Sequence, residues 1–476
     1  MVDWILKMPR SLLRSALAAS LAAVVLSLVS GAANPANAGV ASPSSTTAAP
    51  TAAKLRLVIT STAAVANVHL APGQVTARID RSLAGGASTA YVADGVQVKV
   101  PTGKTGTVTT DVVLVDPTKA QQIALSVDKT LGGTTKVVVS PLSGFSPAVT
   151  LTTPGTAGTV MIARSALFDP AFALPKADNR KLVLAAYYPW FTAGGWDALQ
   201  VSERPVNPRS VWSPAGVLSM TQQARAAGID GFVVSWMGAA STGSAYDLAA
   251  TAAAQTGGYV APYIEVGEAM NHGGVANVEL WLQEALARTG TSSVTNGGVP
   301  VVFVWNMAKV SAADWNGILA RLGRPVKIVG DADTSTYGSS MWGFHAYLPP
   351  TDLTGAADRN TYRAGWYRGT AALNPSSKIV ASIGTVSPGF DDRLLRGANG
   401  MLVSRSGGRY DATWDAALAG DPDMVLVTSW NEWFESTSVE PGTVNGSVAL
   451  ATTKARSAAW KATGVSTSTK SATTAR

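Results

Sequence analysis

Cysteine is missing from all 476 residues. That rules out disulfides, thiolate catalysis and cysteine-built zinc or iron–sulfur sites. Charge is sparse. Only 14% of residues are Asp, Glu, Lys or Arg against 46% hydrophobic, which suits a large globular core and not a disordered chain. The formal charge is +7, but no Lys/Arg block stands after residue 38, so a nucleic-acid partner is not expected. Three histidines are present. His272 and His345, with Asp331 and Asp333, could ligate a cation, but there is no His-Glu-x-x-His, no EF-hand pattern and no close His pair, so no metal is expected. The Gly-x-Ser-x-Gly elbow of a serine hydrolase is missing, and so is a Gly-rich phosphate loop opening a helix; no cofactor is expected. Tryptophan is absent between Trp4 and Trp190.

What is present begins with an export pattern. Lys7, Arg10 and Arg14 precede an apolar run from Ala16 to Val29, and Ala36-Asn-Ala38 supplies a small-x-small cleavage site. Residues 1–38 read as a signal peptide, which places the mature protein outside the cell, secreted or on the wall. Cleavage there removes three positive charges and one negative, leaving +5. No later segment is apolar enough to span a membrane. Residues 39–54, rich in Ala, Ser, Thr and Pro, read as a linker, and residues 464–476 as a disordered tail. A monomer is expected.

The length allows two domains. Over residues 55–165, short Val/Ile/Thr runs alternate with Gly, Pro and Asp turns. Nine strands are predicted there: Leu55–Thr60, Val65–Leu70, Val75–Ile79, Val96–Val100, Val108–Val115, Ile123–Val127, Lys136–Ser140, Val149–Thr152 and Thr159–Ile162. Alternation such as Val96-Gln-Val-Lys-Val100 marks half-buried strands, and the spacing indicates a β-sandwich. Lacking tryptophans to stack on sugars, this domain reads as a passive sandwich sooner than a carbohydrate-binding module.

Over residues 180–463 the pattern changes to apolar strands alternating with amphipathic helices, the signature of parallel βα units. Eight strands are predicted: Lys181–Tyr188, Gly231–Trp236, Tyr259–Glu265, Val299–Trp305, Val326–Gly330, Met341–Tyr347, Lys378–Ile383 and Met424–Trp430. Between them, Ser213-Pro214 opens a helix that Gly228 ends. Val278, Trp281, Leu282, Ala285 and Leu286 share a helical face. Further helices are predicted over Ser311–Leu322, Ala356–Leu373, Tyr410–Leu418 and Ser447–Ala462. The crossover between Gly330 and Met341 is too short for a normal helix. The sum is an α/β chain with a (β/α)8 TIM barrel, one unit degenerate, after a smaller all-β sandwich.

Function in such a barrel collects at the carboxyl ends of the strands. Those ends carry Tyr188 and Trp190, then Ser235 with Trp236, Glu265, Trp305 with Asn306, Asp331, His345 with Tyr347, Asp391, and last Asn431, Glu432, Trp433 and Glu435. Aromatic faces stack on sugar rings, while carboxylates and amides bind hydroxyls. Glu432 and Glu435, three apart in a post-strand loop, can face one cavity. Breaking a glycosidic bond needs a proton for the leaving oxygen, and a nucleophile at the anomeric carbon or a base to activate one. Two acids in different environments can divide those roles. A polysaccharide or glycan is therefore the expected partner. The competing reading is an acid pair that caps a helix or pairs with arginine, in a non-catalytic sugar-binding or cell-wall protein.

Four segments carry a family resemblance. They are Tyr187-Tyr-Pro-Trp190, Ala227-Gly-Ile-Asp-Gly-Phe-Val-Val-Ser-Trp236, Ser387-Pro-Gly-Phe-Asp-Asp392, and Ser429-Trp-Asn-Glu-Trp-Phe-Glu435 followed by Glu440-Pro441. Over Lys181 to Pro441 the chain resembles glycoside hydrolase family 99, the endo-α-1,2-mannosidase and mannanase group. The resemblance implies that Glu435 is general acid and then base, and that Glu432 deprotonates the sugar 2-hydroxyl. It implies retention of configuration through a 1,2-anhydro sugar, without a covalent glycosyl-enzyme. Tyr188, Trp236 and Glu265 fall where that family has sugar-binding residues. Phe434 stands where the family has His, and Ser436 where it has Gly. The Trp430–Ser436 segment is also similar to a motif of family 71, the inverting α-1,3-glucanases. Related barrels accompany polysaccharide synthesis inside the cell, a setting that the signal peptide opposes.

Overall fold

The computed structural model describes residues 52–71, 74–92, 95–115, 121–129, 132–142, 148–168, 181–331, 335–347, 372–373 and 377–463. The expected signal peptide and tail, most of the linker, and the helix expected over Ala356–Leu373 except its last two residues lie outside the described residues.

The sandwich contains β1 (Ala52–Ser61), β2 (Val65–Ala71), β3 (Gln74–Ala84), β4 (Ser88–Val92), β5 (Gly95–Lys99), β6 (Gly106–Val115), β7 (Gln122–Lys129), β8 (Thr135–Pro141), β9 (Val149–Thr153) and β10 (Ala157–Ala163). They form two antiparallel sheets, β3-β6-β1-β8-β9 and β10-β7-β2-β5-β4. Alternate residues such as Leu55, Leu57 and Ile59 from one sheet meet Val68, Leu70 and Leu125 from the other. Two differences from expectation have simple causes. β4 is an edge strand paired only with β5, and its Ser-Thr-Ala sequence lacks an apolar run. β1 begins at Ala52 because Ala52 and Ala53 pair with Val115 and Leu114, and alanine carries little strand signal.

β6 is buried on both faces near its end. Outside the sandwich core, Val113 packs with Ala52, Ala77 and Leu373. Asp111 is buried there too, taking Arg56 Nε at 2.8 Å and Arg81 Nε at 2.6 Å, and Arg81 also donates to the Leu373 carbonyl at 2.9 Å. A chain segment from between the sixth and seventh barrel strands thus docks on the sandwich.

The second unit contains β11 (Leu182–Tyr187), β12 (Gly231–Trp236), β13 (Tyr259–Glu265), β14 (Thr295–Asn296), β15 (Val299–Trp305), β16 (Lys327–Gly330), β17 (Gly343–Phe344), β18 (Ala381–Val386), β19 (Phe390–Asp391), β20 (Leu402–Val403) and β21 (Met424–Val427). Eight of them, leaving out β14, β19 and β20, are parallel and close into a barrel, with β21 between β11 and β18 and β13 beside β15. The helices are α1 (Pro214–Ala226), α2 (Ala239–Thr256), α3 (Val266–Ala287), α4 (Ala312–Arg321), α5 (Arg393–Arg396), α6 (Arg409–Ala419) and α7 (Val448–Ala462). Period-two alternation sorts each strand. Leu184, Val233, Tyr263, Phe303 and Leu426 fill the barrel, while Val183, Phe232, Ile264, Val302 and Val425 face the helices.

Several boundaries moved. The seventh strand is Ala381–Val386, about three residues later than expected, because Asp423 receives the Ser382 N–H and sets the register with β21. The sixth is shortened to Gly343–Phe344. α2 was not anticipated; it is alanine-rich, so its buried stripe contrasts little with its other faces, and Gly238 gives no side-chain cap. α3 is longer than its stripe implies and kinks at Gly273 and Gly274.

The segment from Ala227 to Gly231 shows why its residues are what they are. Gly228 has φ +78 and ends α1. Asp230 receives the Val183 N–H at 2.9 Å and pairs with Arg225 and Lys461. Gly231 lets β12 approach β13: a Cβ there would stand 2.1 Å from the Tyr259 carbonyl oxygen. This half of the motif is structural and lies at the amino end of the barrel. Gly231→Ala is expected to destabilise the protein by roughly 2–3 kcal/mol, an overpacking cost against backbone, read by urea denaturation. A change under about 0.5 kcal/mol, the range of neutral surface substitutions, would show that the strands separate freely.

Candidate active site

The site is built where β21 ends. Thr428 Oγ1 donates to the Tyr347 carbonyl, and Ser429 Oγ accepts the Glu432 N–H at 2.7 Å. Asn431 does not face outward. Its Oδ1 accepts the Tyr188 N–H at 2.8 Å and its Nδ2 donates to the Tyr188 carbonyl at 2.9 Å. This two-point clamp ties the first strand's end to the last strand's loop and aims Tyr188 and Trp190 at the glutamates.

Glu432 is buried. Its Oε2 takes the Trp190 Nε1–H at 2.8 Å and its Oε1 the Phe434 N–H at 3.1 Å. Glu435 accepts from Arg396 at 3.0 Å, and Tyr347 Oη lies 3.5 Å from its other oxygen. The Tyr188 hydroxyl donates to Tyr347 Oη at 2.6 Å, so a chain of phenols ends at Glu435. Burial and nearby negative charge hold both phenols well above the ordinary tyrosine range, so they stay protonated donors. Ser235 donates to Glu265 Oε1 at 2.6 Å on the neighbouring wall.

Burial raises the proton affinity of all three acids. Glu265 is pushed up to about 8, first by burial and then by neighbouring carboxylates, against the Ser235 hydroxyl. Glu432 is raised by burial and by the charge of Glu435, with the Trp190 and Phe434 N–H groups pulling the other way. Glu435 is raised by burial, but the Arg396 charge opposes this. The two members of the pair therefore sit in different fields, and in the free site the proton favours Glu432.

Of the residues expected at the site, Tyr188, Trp190, Glu265, Tyr347, Glu432 and Glu435 come together. Trp305 is half-buried against the same interior cluster as Trp190 and Tyr347. Others take different places. Trp236 is fully buried in the layer between strands and helices, edge-on to Tyr246 and with Arg288 5.3 Å above it. It does not face the barrel interior, because Ser235 occupies the inward position of that strand end. Trp433 packs with Phe191 and Trp196 and bonds Glu440. Asp391 is held by Arg393 at 2.8 and 2.9 Å. Asn306 adopts φ +61 and gives its backbone N–H to Asp331, which anchors that loop. Asp331 also takes the Met307 N–H, and burial still lifts it to about 6. Asp333 lies outside the described residues. Among the described residues no group of three or more His, Asp or Glu is placed to hold a metal ion.

Two residues at the site, Tyr263 and Arg396, were not singled out from sequence. Tyr263 shares the inward face of β13 with Ala261, as Ser235 shares that of β12 with Val233. His345 Nε2 lies 3.4 Å from Tyr263 Oη, and burial lowers the imidazole to about 4, so it is neutral. Arg396 gives no sequence signal, because its partner is 39 residues away.

A family model described as Glycosyl hydrolase family 99 matches residues 210–451. The chain belongs to glycosyl hydrolase family 99. It is a glycoside hydrolase. Two solved structures of the family 99 endo-α-mannosidase from Bacteroides thetaiotaomicron share its fold. One, with bis-tris-propane bound, is 20% identical with a TM-score of 0.50, covering 59% of this chain and 98% of that one. The other is 19% identical with a TM-score of 0.50, covering 60% and 98%. Comparison with curated proteins returns no match.

The family 99 site makes stability depend on pH. Asp331, Glu265 and Glu440 hold their protons more tightly in the fold than in the unfolded chain, whose values are 3.8 for Asp and 4.5 for Glu. Their contribution is full below those unfolded values and is lost as pH rises through about 6 for Asp331 and about 8 for Glu265 and Glu440. The urea midpoint is expected to fall between about pH 5 and about pH 8, and Glu265→Gln to flatten that fall. An identical slope in the variant would mean that Glu265 is already ionised in the fold.

Proposed function

We propose that this family 99 hydrolase cleaves α-linked mannose polymers or glycans with retention, through a 1,2-anhydro sugar. The observation that carries the reading is the asymmetric pair at the end of β21: Glu432 held by neutral N–H donors, Glu435 by an arginine and a phenol. Glu432 removes the proton of the sugar 2-hydroxyl. The freed oxygen attacks the anomeric carbon as the bond to the leaving oxygen breaks, and Glu435 gives that oxygen its proton. Water then opens the anhydro ring, with Glu435 taking the proton back and Glu432 returning one to the 2-oxygen. A raised proton affinity suits Glu432, since the 2-hydroxyl is a weak acid and needs a strong base. Trp190, Tyr188 and Trp305 supply aromatic faces at the mouth, and Glu265 an acceptor for hydroxyls.

Reducing-sugar release from α-mannan and α-1,3-glucan tests this. The wild type is expected to cut α-mannan, and Glu435→Gln to lose roughly 10²–10⁴-fold in rate. Product NMR is expected to show the α-anomer first. Net inversion would sink the anhydro mechanism and favour the α-1,3-glucanase-like course. Binding of either polymer without cleavage would make the protein a sugar-binding one.

The reading includes export, supported by the basic, apolar and Ala36-Asn-Ala38 sequence of the first 38 residues. Sequencing of the exported protein is expected to begin at Gly39. Recovery of residues 1–38 on it would overturn cleavage there.

A further inference from the structure

Arg396 closes α5 and divides between two acids. One guanidinium nitrogen meets Asp392, four residues back, and the other donates to Glu435 Oε1 at 3.0 Å. Asp392 is 3% exposed and fixed by backbone on two sides. Its free oxygen takes the Met401 N–H at 2.6 Å, and its carbonyl takes the Leu395 and Arg396 N–H groups. It therefore holds the arginine in place and does not follow it. Among the described residues Arg396 is the cation paired with Glu435. The other groups facing Glu435 are acids or phenols: Glu432 on its own loop, Glu265 and Tyr263 from β13, and Tyr347 beyond β17. Asp391 touches it only through a backbone N–H. Among the described residues no cation pairs with Glu432; its oxygens meet neutral N–H groups.

We propose that Arg396, clamped by Asp392, is a positioning residue that holds Glu435 as the carboxylate in the free enzyme, and that substrate must loosen this ion pair before Glu435 can protonate the leaving oxygen. The proposal rests on the two-glutamate reading above. The pair carries one proton throughout. In the free enzyme it resides on Glu432. In the complex Glu432 gives a proton to solvent and Glu435 takes one, so the count is unchanged and no other reactant is needed. The arginine thus resists premature protonation of Glu435.

Arg396→Met removes the charge, and Arg396→Lys keeps it. Because kcat/KM reports the free enzyme, its acidic limb is expected to move up by about 1 pH unit in Arg396→Met and to return in Arg396→Lys. A lower plateau with an unmoved limb in Arg396→Met would assign the residue a purely structural role and overturn the proposal. A second measurement needs no substrate. In protein labelled with ¹³C at the glutamate carboxyl, the Glu435 signal is identified by its loss in Glu435→Gln. It is expected to titrate at higher pH in Arg396→Met than in the wild type or Arg396→Lys. Unchanged titration overturns the proposal even if hydrolysis is confirmed. A shifted titration in a protein that cuts no glycan supports the arginine's hold on Glu435 and overturns the hydrolytic role built on it.

Discussion

Two carboxyl groups in one buried mouth cannot both carry charge without compensation, and the rest of the site is arranged around that constraint. Transfer of a charge out of water is costly unless it is paired or hydrogen-bonded. Here a guanidinium and a set of N–H dipoles divide the compensation. Glu435 faces the arginine, Glu432 faces N–H dipoles, and Glu265 beyond them is pushed up to about 8. The carboxyls of the mouth are thus held in distinct environments. Distinct environments are what allow two identical side chains to serve as acid and base.

Holding such a mouth open requires rigid supports, and these are polar contacts to backbone. Asn431 clamps both backbone groups of Tyr188, and Asp331 gathers the N–H groups of Asn306 and Met307. Both are polar side chains at the carboxyl ends of strands, where sugar-binding groups are also expected. A barrel strand end is crowded by the next loop, and its free N–H groups need acceptors. Much of the polarity there serves that need, and the reactive groups are the minority left over.

This explains what could be read in the chain and what could not. The barrel was legible because apolar strand runs alternate with amphipathic helices. The glutamate pair was legible because both acids, three apart, follow one apolar strand. Trp236 was misplaced by one position: Ser235 takes the inward place, and the tryptophan turns to Tyr246 and Arg288. Strand ends give no period long enough to set that phase. Arg396 was invisible for another reason. Its effect is electrostatic and acts across the barrel mouth, while a sequence shows only neighbours along the chain. α2 escaped because an alanine-rich helix buries and exposes the same residue type.

The two departures inside the reactive segment differ in weight once placed. Ser436, where the family resemblance has glycine, adopts φ +53, a conformation that glycine takes freely and serine at a cost of order 1 kcal/mol. The glycine preference is therefore a backbone requirement of the turn after Glu435. Here the turn is kept by other bonds: Ser436 Oγ meets Ser202 Oγ at 2.8 Å, and the Ser436 carbonyl accepts from Arg405 at 2.9 Å. Phe434 is a chemical change instead. Its ring lies against Phe191, 5.3 Å between centroids, and extends the cluster of Trp196 and Trp433. A histidine there would offer a donor and acceptor beside Glu432; a phenylalanine offers an apolar face. Of the two departures, Ser436 is thus a matter of backbone conformation, while Phe434 changes the side-chain polarity of the segment.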